Sequence, residues 1–202
     1  MNSTTLQGIP REMTSAALMT AEELLAYSAP NQRVELVRGR LLVCEPSGSR
    51  HGEIEAGVVG ALRLYLTRDR DARGAERTRG RLVCGDAGFW LSHDPDTVRA
   101  PDAAYISRER YDGSLPDGYA EFAPDLAVEV RSPSDRPGAV LAKIGDWLEA
   151  GARVVWVVDP RTRQVAIYRD DGAHDLLGGD DVLREELLLP GFVLPLVELF
   201  AE

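Results

Sequence analysis

Lysine is almost missing from this chain: Lys143 stands alone against 22 arginines in 202 residues. The balance of 23 basic to 33 acidic residues gives a formal charge of −10. This excludes a protein that coats nucleic acid nonspecifically, because that mode depends on broad neutralisation of phosphates. It leaves room for a local basic surface. Histidine is also scarce, and His51, His93 and His174 are too scattered for a cage of imidazoles around a metal. The two cysteines, Cys44 and Cys84, lack C-x-x-C spacing, so a zinc site or disulfide is set aside in favour of buried free thiols. No apolar run approaches the roughly 20 residues that span a bilayer. The N-terminus has no basic segment followed by an apolar core, so no secretory signal is expected and a cytoplasmic location is. Phosphate-cradling, dinucleotide-binding, nucleophile-elbow and H-E-x-x-H patterns are absent too.

The length fits one domain, expected over residues 19–202 behind a flexible arm of residues 1–18. Thr20 followed by Glu23 is a capping-box pattern and predicts a short helix over Ala21 to Tyr27. RVELV and RLLVC flank Arg38-Gly39, a tight hairpin in which glycine supplies positive φ. From His51 to Thr67, Ile54, Val58, Ala61, Leu62, Tyr65 and Leu66 recur at helical spacing. Strands are predicted over Leu82 to Leu91 and Val98 to Ile106, joined through HDPDT. DLAVEVRS reads as a central strand buried on both faces. A helix from Pro137 to Ala150 then leads into the strands RVVWVVD and RQVAIYR. The order predicts a mixed α/β sandwich. Between helix and strand, RDRDARGAERTRGR places six arginines in fourteen residues, Arg68 to Arg81. That segment reads equally as a solvated loop and as a secondary phosphate contact.

With no histidine cage, any chemistry falls to carboxylates. Asp102, in RAPDAAYIS, shares a strand face with Ala100, Ala104 and Ile106 and so projects to the apolar side. Glu129 interrupts the otherwise apolar LAVEV. Each alone reads as a turn residue or a salt-bridge partner. Together, beside the small residues Ala103, Ala104 and Ala127, they suggest an oxygen-ligand site for Mg²⁺ or Mn²⁺. Lys143 lies just off a buried helical stripe of Val140, Leu141, Ile144, Trp147 and Leu148. From that border its stem can run along the sheet toward the strand ends, or its head can simply meet water.

PD at Pro101-Asp102, EVRSPS from Glu129 to Ser134, the lone Lys143, GARVVWVVDP from Gly151 to Pro160 and LPGFVLPLVELF near the end occur in this order. The set resembles the Uma family of restriction-endonuclease-like proteins, within the PD-(D/E)XK nuclease superfamily, over Met19 to Phe200. VELVRGRLL, with Glu35, and PSGSRHGEI, with His51, resemble earlier pieces of that family. The resemblance implies a restriction-endonuclease-like fold: a mixed β-sheet core flanked by helices, with an N-terminal β-hairpin extension. It implies a divalent metal, Mg²⁺ or Mn²⁺, on Asp102, Glu129 and the Val130 carbonyl, with Lys143 in the lysine role and Glu35 and His51 auxiliary. The implied activity is endonucleolytic hydrolysis of phosphodiester bonds, with DNA as the expected partner and a homodimer compatible with it. A catalytically silent module that binds nucleic acid or a protein is the alternative. The superfamily's usual third residue would fall at Arg131, where this family usually has an apolar residue. Arg131 either contacts the scissile phosphate or pairs with Asp102 or Glu129 and blocks the site. Trp147, where the family more commonly has tyrosine, reads as packing.

Overall fold

The computed structural model describes residues 18–27, 33–44, 46–68 and 80–201. Residues 1–17 of the expected N-terminal arm and nearly all of the arginine-rich segment fall outside them. The elements in chain order are α1 (Ala21–Ala26), β1 (Arg33–Val37), β2 (Arg40–Cys44), α2 (Ser49–Arg68), β3 (Gly80–Cys84), β4 (Phe89–Ser92), β5 (Thr97–Arg99) and β6 (Ala103–Ser107). They continue with β7 (Leu126–Val130), α3 (Pro137–Glu149), β8 (Val154–Asp159), β9 (Gln164–Arg169), β10 (His174–Gly178), β11 (Val182–Glu185), β12 (Leu189–Pro195) and α4 (Leu196–Leu199).

Local chemistry accounts for several boundaries. Thr20 and Glu23 form both bonds of a capping box at α1. In the β1–β2 hairpin both Arg38 (φ 50°) and Gly39 (φ 72°) are left-handed. Positive φ at both central positions is the turn geometry that matches strand twist, so arginine shares a conformation expected of the glycine alone. Pro137 opens α3 at the position where a missing N–H costs nothing.

A six-stranded sheet runs β10-β9-β8-β7-β6-β3, and a four-stranded one runs β2-β1-β5-β4. Only β7 and β8 pair in parallel within the larger sheet, and α3 is the crossover between them. Alternation along β7 assigns its residues to two cores. Val128 and Val130 pack with Ile54, Val58 and Leu62 of α2, and with Phe192 and Leu196. Ala127 packs on the other face with Ile144 and Trp147 of α3. Fully burying side chains of this size contributes about 1.5–3 kcal/mol each, so both helices are held by their apolar faces.

The two longest predicted strands are each broken in two. Gly85 (φ 72°) and Asp86 (φ 64°) separate β3 from β4, and Ala100-Pro101-Asp102 separates β5 from β6. At each break the chain leaves one sheet for the other. Asp102 therefore stands in a bend and does not share a strand face with Ala104 and Ile106. Ala103, Ala104 and Ala127 do not open space beside it either, because all three are buried within the cores. Leu141 was expected in the buried stripe of α3 but is exposed. Cys44 is half-buried and Cys84 exposed, so the thiols are free, as expected, but not buried. The alternation around Cys84 ends at the Gly85 bend, which leaves its side chain without a covering layer.

Candidate active site

The bend that carries Asp102 lies against the end of β7. Ala103 is paired with Val128, and the Asp102 N–H donates to the Val128 carbonyl at 3.0 Å. The Asp102 carboxylate then accepts from the Val130 N–H at 2.6 Å and from Arg33 Nη1 at 2.9 Å. His51, in the first turn of α2, brings its Nε2 within 3.5 Å of the same carboxylate. Burial raises the carboxyl's pKa, but His51, Arg33 and the Val130 N–H outweigh it and hold Asp102 down at about 2. The imidazole is pulled the other way, its pKa raised mainly by its bond to Asp102.

Glu129 is one residue past Val128 and follows Ala127 onto the α3 face of the sheet. Its Oε2 accepts from Lys143 Nζ at 2.7 Å and its Oε1 from Trp147 Nε1 at 2.8 Å. Lys143 and Trp147 are four residues apart, hence neighbours on one face of α3. Lys143 Nζ also lies 3.0 Å from Glu35 Oε1 and donates to the Ala100 carbonyl at 3.1 Å. Three partners match the three donors of an ammonium. Burial is the largest influence on Glu129 and, aided by the Asp102 and Glu35 charges, pushes its pKa up to about 7 despite Lys143. For Lys143 burial works against the charge, but Glu129 and Glu35 prevail and raise its pKa.

A third layer fixes this arrangement. Glu35 is 2 % exposed and receives Arg99 Nη1 at 2.8 Å and the Ala100 N–H at 3.2 Å. Arg99 in turn grips Asp146 of α3 through Nε at 2.8 Å and Nη2 at 2.5 Å. The chain of charges thus runs Asp146, Arg99, Glu35, Lys143, Glu129. Arg33, two residues before Glu35, holds Asp102 and donates to the Ala100 carbonyl at 2.5 Å.

Glu35, His51, Asp102, Glu129, Val130, Arg131 and Lys143 all line one cleft of about 570 Å³. Arg131 pairs with neither site acid; its Nη1 meets Asp159 Oδ2, at the end of β8, at 2.7 Å. The expected competition for Asp102 and Glu129 comes instead from Arg33 and Lys143. Trp147 packs against Phe89 as expected but also positions Glu129. Arg33, Arg99 and Asp146 were missed entirely. Two-residue spacing from Glu35 pointed to Arg33, and three-residue spacing from Lys143 pointed to Asp146, whereas nothing local marked Arg99.

The donors near Asp102 suit a divalent ion. His51, Glu55 and Asp102 each offer one ligand atom, all within 4.8 Å of one another. His51 Nδ1 is buried, has no hydrogen-bond partner among the described residues, and lies 4.0 Å from Glu55 Oε2. Imidazole nitrogen with carboxylate oxygens is a donor set shared by several first-row divalent metals.

The fold is similar to that of a solved structure described as a putative nuclease belonging to DUF820 from Anabaena variabilis ATCC 29413, with a TM-score of 0.74 and 20% sequence identity over 91% of this chain and 98% of that one. That likeness establishes a restriction-endonuclease-like architecture, a mixed sheet flanked by helices with an N-terminal hairpin. Among curated proteins, none matches. The family model of Uma2, described as "Putative restriction endonuclease", matches residues 21–197, and over that span the chain belongs to the Uma2 family.

Proposed function

We propose that this nuclease-like protein is a metal-dependent endonuclease that hydrolyses phosphodiester bonds of nucleic acid, with DNA as the substrate and the cytoplasm as its location. The observation that carries the reading is Lys143 Nζ at 2.7 Å from Glu129, in a cleft also lined by Asp102 and His51. His51, Glu55 and Asp102 would hold Mg²⁺ or Mn²⁺, with Glu129 and the Val130 carbonyl as the further ligands that the family resemblance implies. When bound, such an ion polarises a phosphoryl oxygen and lowers the pKa of water.

The chain's own residues do the remaining work. Lys143 presents a compact ammonium, its donors held by Glu129, Glu35 and Ala100, whose charge offsets the charge that develops on the phosphoryl oxygens. Arginine would bring a wider, planar fork to the same place, which accounts for lysine at this one position. Trp147 holds the second Glu129 oxygen so that the first keeps facing Lys143.

A catalytically silent binding module is favoured by a different fact: Asp102 and Glu129 are already paired to Arg33 and Lys143. Incubation of purified protein with plasmid, single-stranded DNA and RNA, in Mg²⁺, Mn²⁺ or chelator, separates the two readings. Metal-dependent cleavage abolished by Asp102→Ala is the expected outcome. Binding without cleavage under every condition would leave the silent module.

A further inference from the structure

Beside the candidate active site is a second concavity of about 220 Å³, between the start of α2 and the turn after β8. Its walls include Arg50, His51, Arg131, Ser132, Asp159 and Arg161. His51, Arg131 and Ser132 also line the larger cleft, so the two share a wall. In a chain of net charge −10 the concentration of three guanidinium groups here needs a reason.

Neutralisation from within is incomplete. Asp159 is the only carboxylate among the lining residues, and both its oxygens are engaged. Oδ1 accepts the Arg161 and Thr162 N–H groups at 2.9 and 3.2 Å, and Oδ2 accepts Arg131 Nη1 at 2.7 Å. Arg131 keeps a buried Nε with no hydrogen-bond partner among the described residues. Arg50 is occupied by Glu53 and by the carbonyls of Phe200 and Ala201. Arg161 is exposed, and among the described residues its guanidinium has no ion-pair or hydrogen-bond partner. The first turn of α2, whose leading N–H groups have no intrahelical acceptors, adds partial positive charge on the same side.

We propose that this pocket binds a phosphate group of the nucleic-acid strand, next to the phosphate held in the cleft, with Arg161 as its principal donor and Arg131 on the shared wall. The proposal rests on the nucleic-acid reading above and extends it to how the strand is positioned. A guanidinium offers paired N–H donors that match phosphate oxygens, and an unpaired one at a concave wall meets an anion without first breaking an internal ion pair. The phosphate comes either from an internal linkage or from a 5′ end.

The test measures fluorescence anisotropy of a labelled single-stranded oligonucleotide, with and without a 5′ phosphate, in chelator so that no cleavage occurs. Wild type, Arg161→Ala and Arg161→Lys are compared across a salt titration. Arg161→Ala is expected to weaken binding about tenfold and to reduce the slope of log affinity against log salt by about 0.7, the loss of one phosphate contact on a single strand. Arg161→Lys should keep the slope while binding more weakly than wild type. If removal of the 5′ phosphate weakens wild type but not Arg161→Ala, the pocket takes a terminal phosphate. Equal effects of Arg161→Ala on both oligonucleotides assign it an internal one. Unchanged affinity and slope in Arg161→Ala, or no binding by wild type, overturn the proposal. Because cleavage is scored separately in Mn²⁺, Arg161-dependent binding without cleavage refutes the nuclease reading alone. Cleavage with Arg161-independent binding refutes this pocket alone.

Discussion

The two site carboxylates line one cleft, yet their surroundings drive them apart: Asp102 is held at about 2 and Glu129 is pushed up to about 7. The Glu129 half is closed. Both its oxygens and all three Lys143 donors have partners, and an indole covers the carboxylate. The Asp102 half is as buried but less fully paired: among the described residues His51 Nδ1 has no hydrogen-bond partner, and Glu55 beside it has a side chain 29% exposed. Two acids with opposite shifts in one cleft are a recurring arrangement where one must stay ionised and the other must trade protons. On the proposed reading, the Asp102 half takes the ion first, and the Glu129 half, which holds Lys143, joins it once its proton has left.

The largest effect that would break this comparison is on catalysis. Lys143→Arg keeps the charge in the closed half but not its shape, and is expected to lower metal-dependent cleavage by at least about 10²-fold. Lys143→Met should do the same, with Asp102→Ala as the inactive control. Full activity in Lys143→Arg would make the single lysine an accident of composition.

Next in size is the cost of opening the closed half from behind. Glu35→Ala leaves Arg99 and Lys143 without their shared carboxylate, and loss of one member of a buried charge network costs about 3–5 kcal/mol. Urea unfolding should show this as a lower midpoint. A loss under about 1 kcal/mol, the range of exposed pairs, would mean that the network is wetter than its geometry implies. Trp147→Phe keeps the packing against Phe89 but removes the N–H on Glu129, and should cost about 1–3 kcal/mol.

The smallest effect is on pH dependence, and it has opposite signs in the two halves. Asp102 binds its proton more weakly folded than unfolded, so its contribution is present above its ordinary value of 3.8 and is lost as pH falls through about 2. Glu129 binds its proton more tightly when folded, so stability declines as pH rises from 4.5 to about 7 and is level beyond. Thermal midpoints across that range should therefore lose the upper decline in Glu129→Gln and the lower one in Asp102→Asn. Mn²⁺ affinity, followed by calorimetry, should rise with pH through about 7, because the Glu129 proton has to leave. A flat profile would show that Glu129 is ionised throughout and that the two halves are electrostatically alike.

By itself the sequence determined what local rules can carry. Capping at Thr20, the turn at Arg38-Gly39, the helical period of α2 and the largely apolar runs of β7 and β8 each depend on neighbours within a few positions, and each is realised. Motif order was legible too, so Asp102, Glu129 and Lys143 stood out before their distances were known. Tertiary structure decided the rest. Whether Val98 to Ile106 is one strand or two depends on the second sheet that β5 joins, and that pairing with β1 is set by residues some 60 positions away. Arg99 could not be told from any other arginine until the bend after it set its guanidinium between Glu35 and Asp146. Trp147 read as packing because an apolar ring on a buried helical face looks the same with or without an acceptor for its N–H. An ion pair is a relation between distant residues, and its strength follows from distance and burial, neither of which is written along the chain.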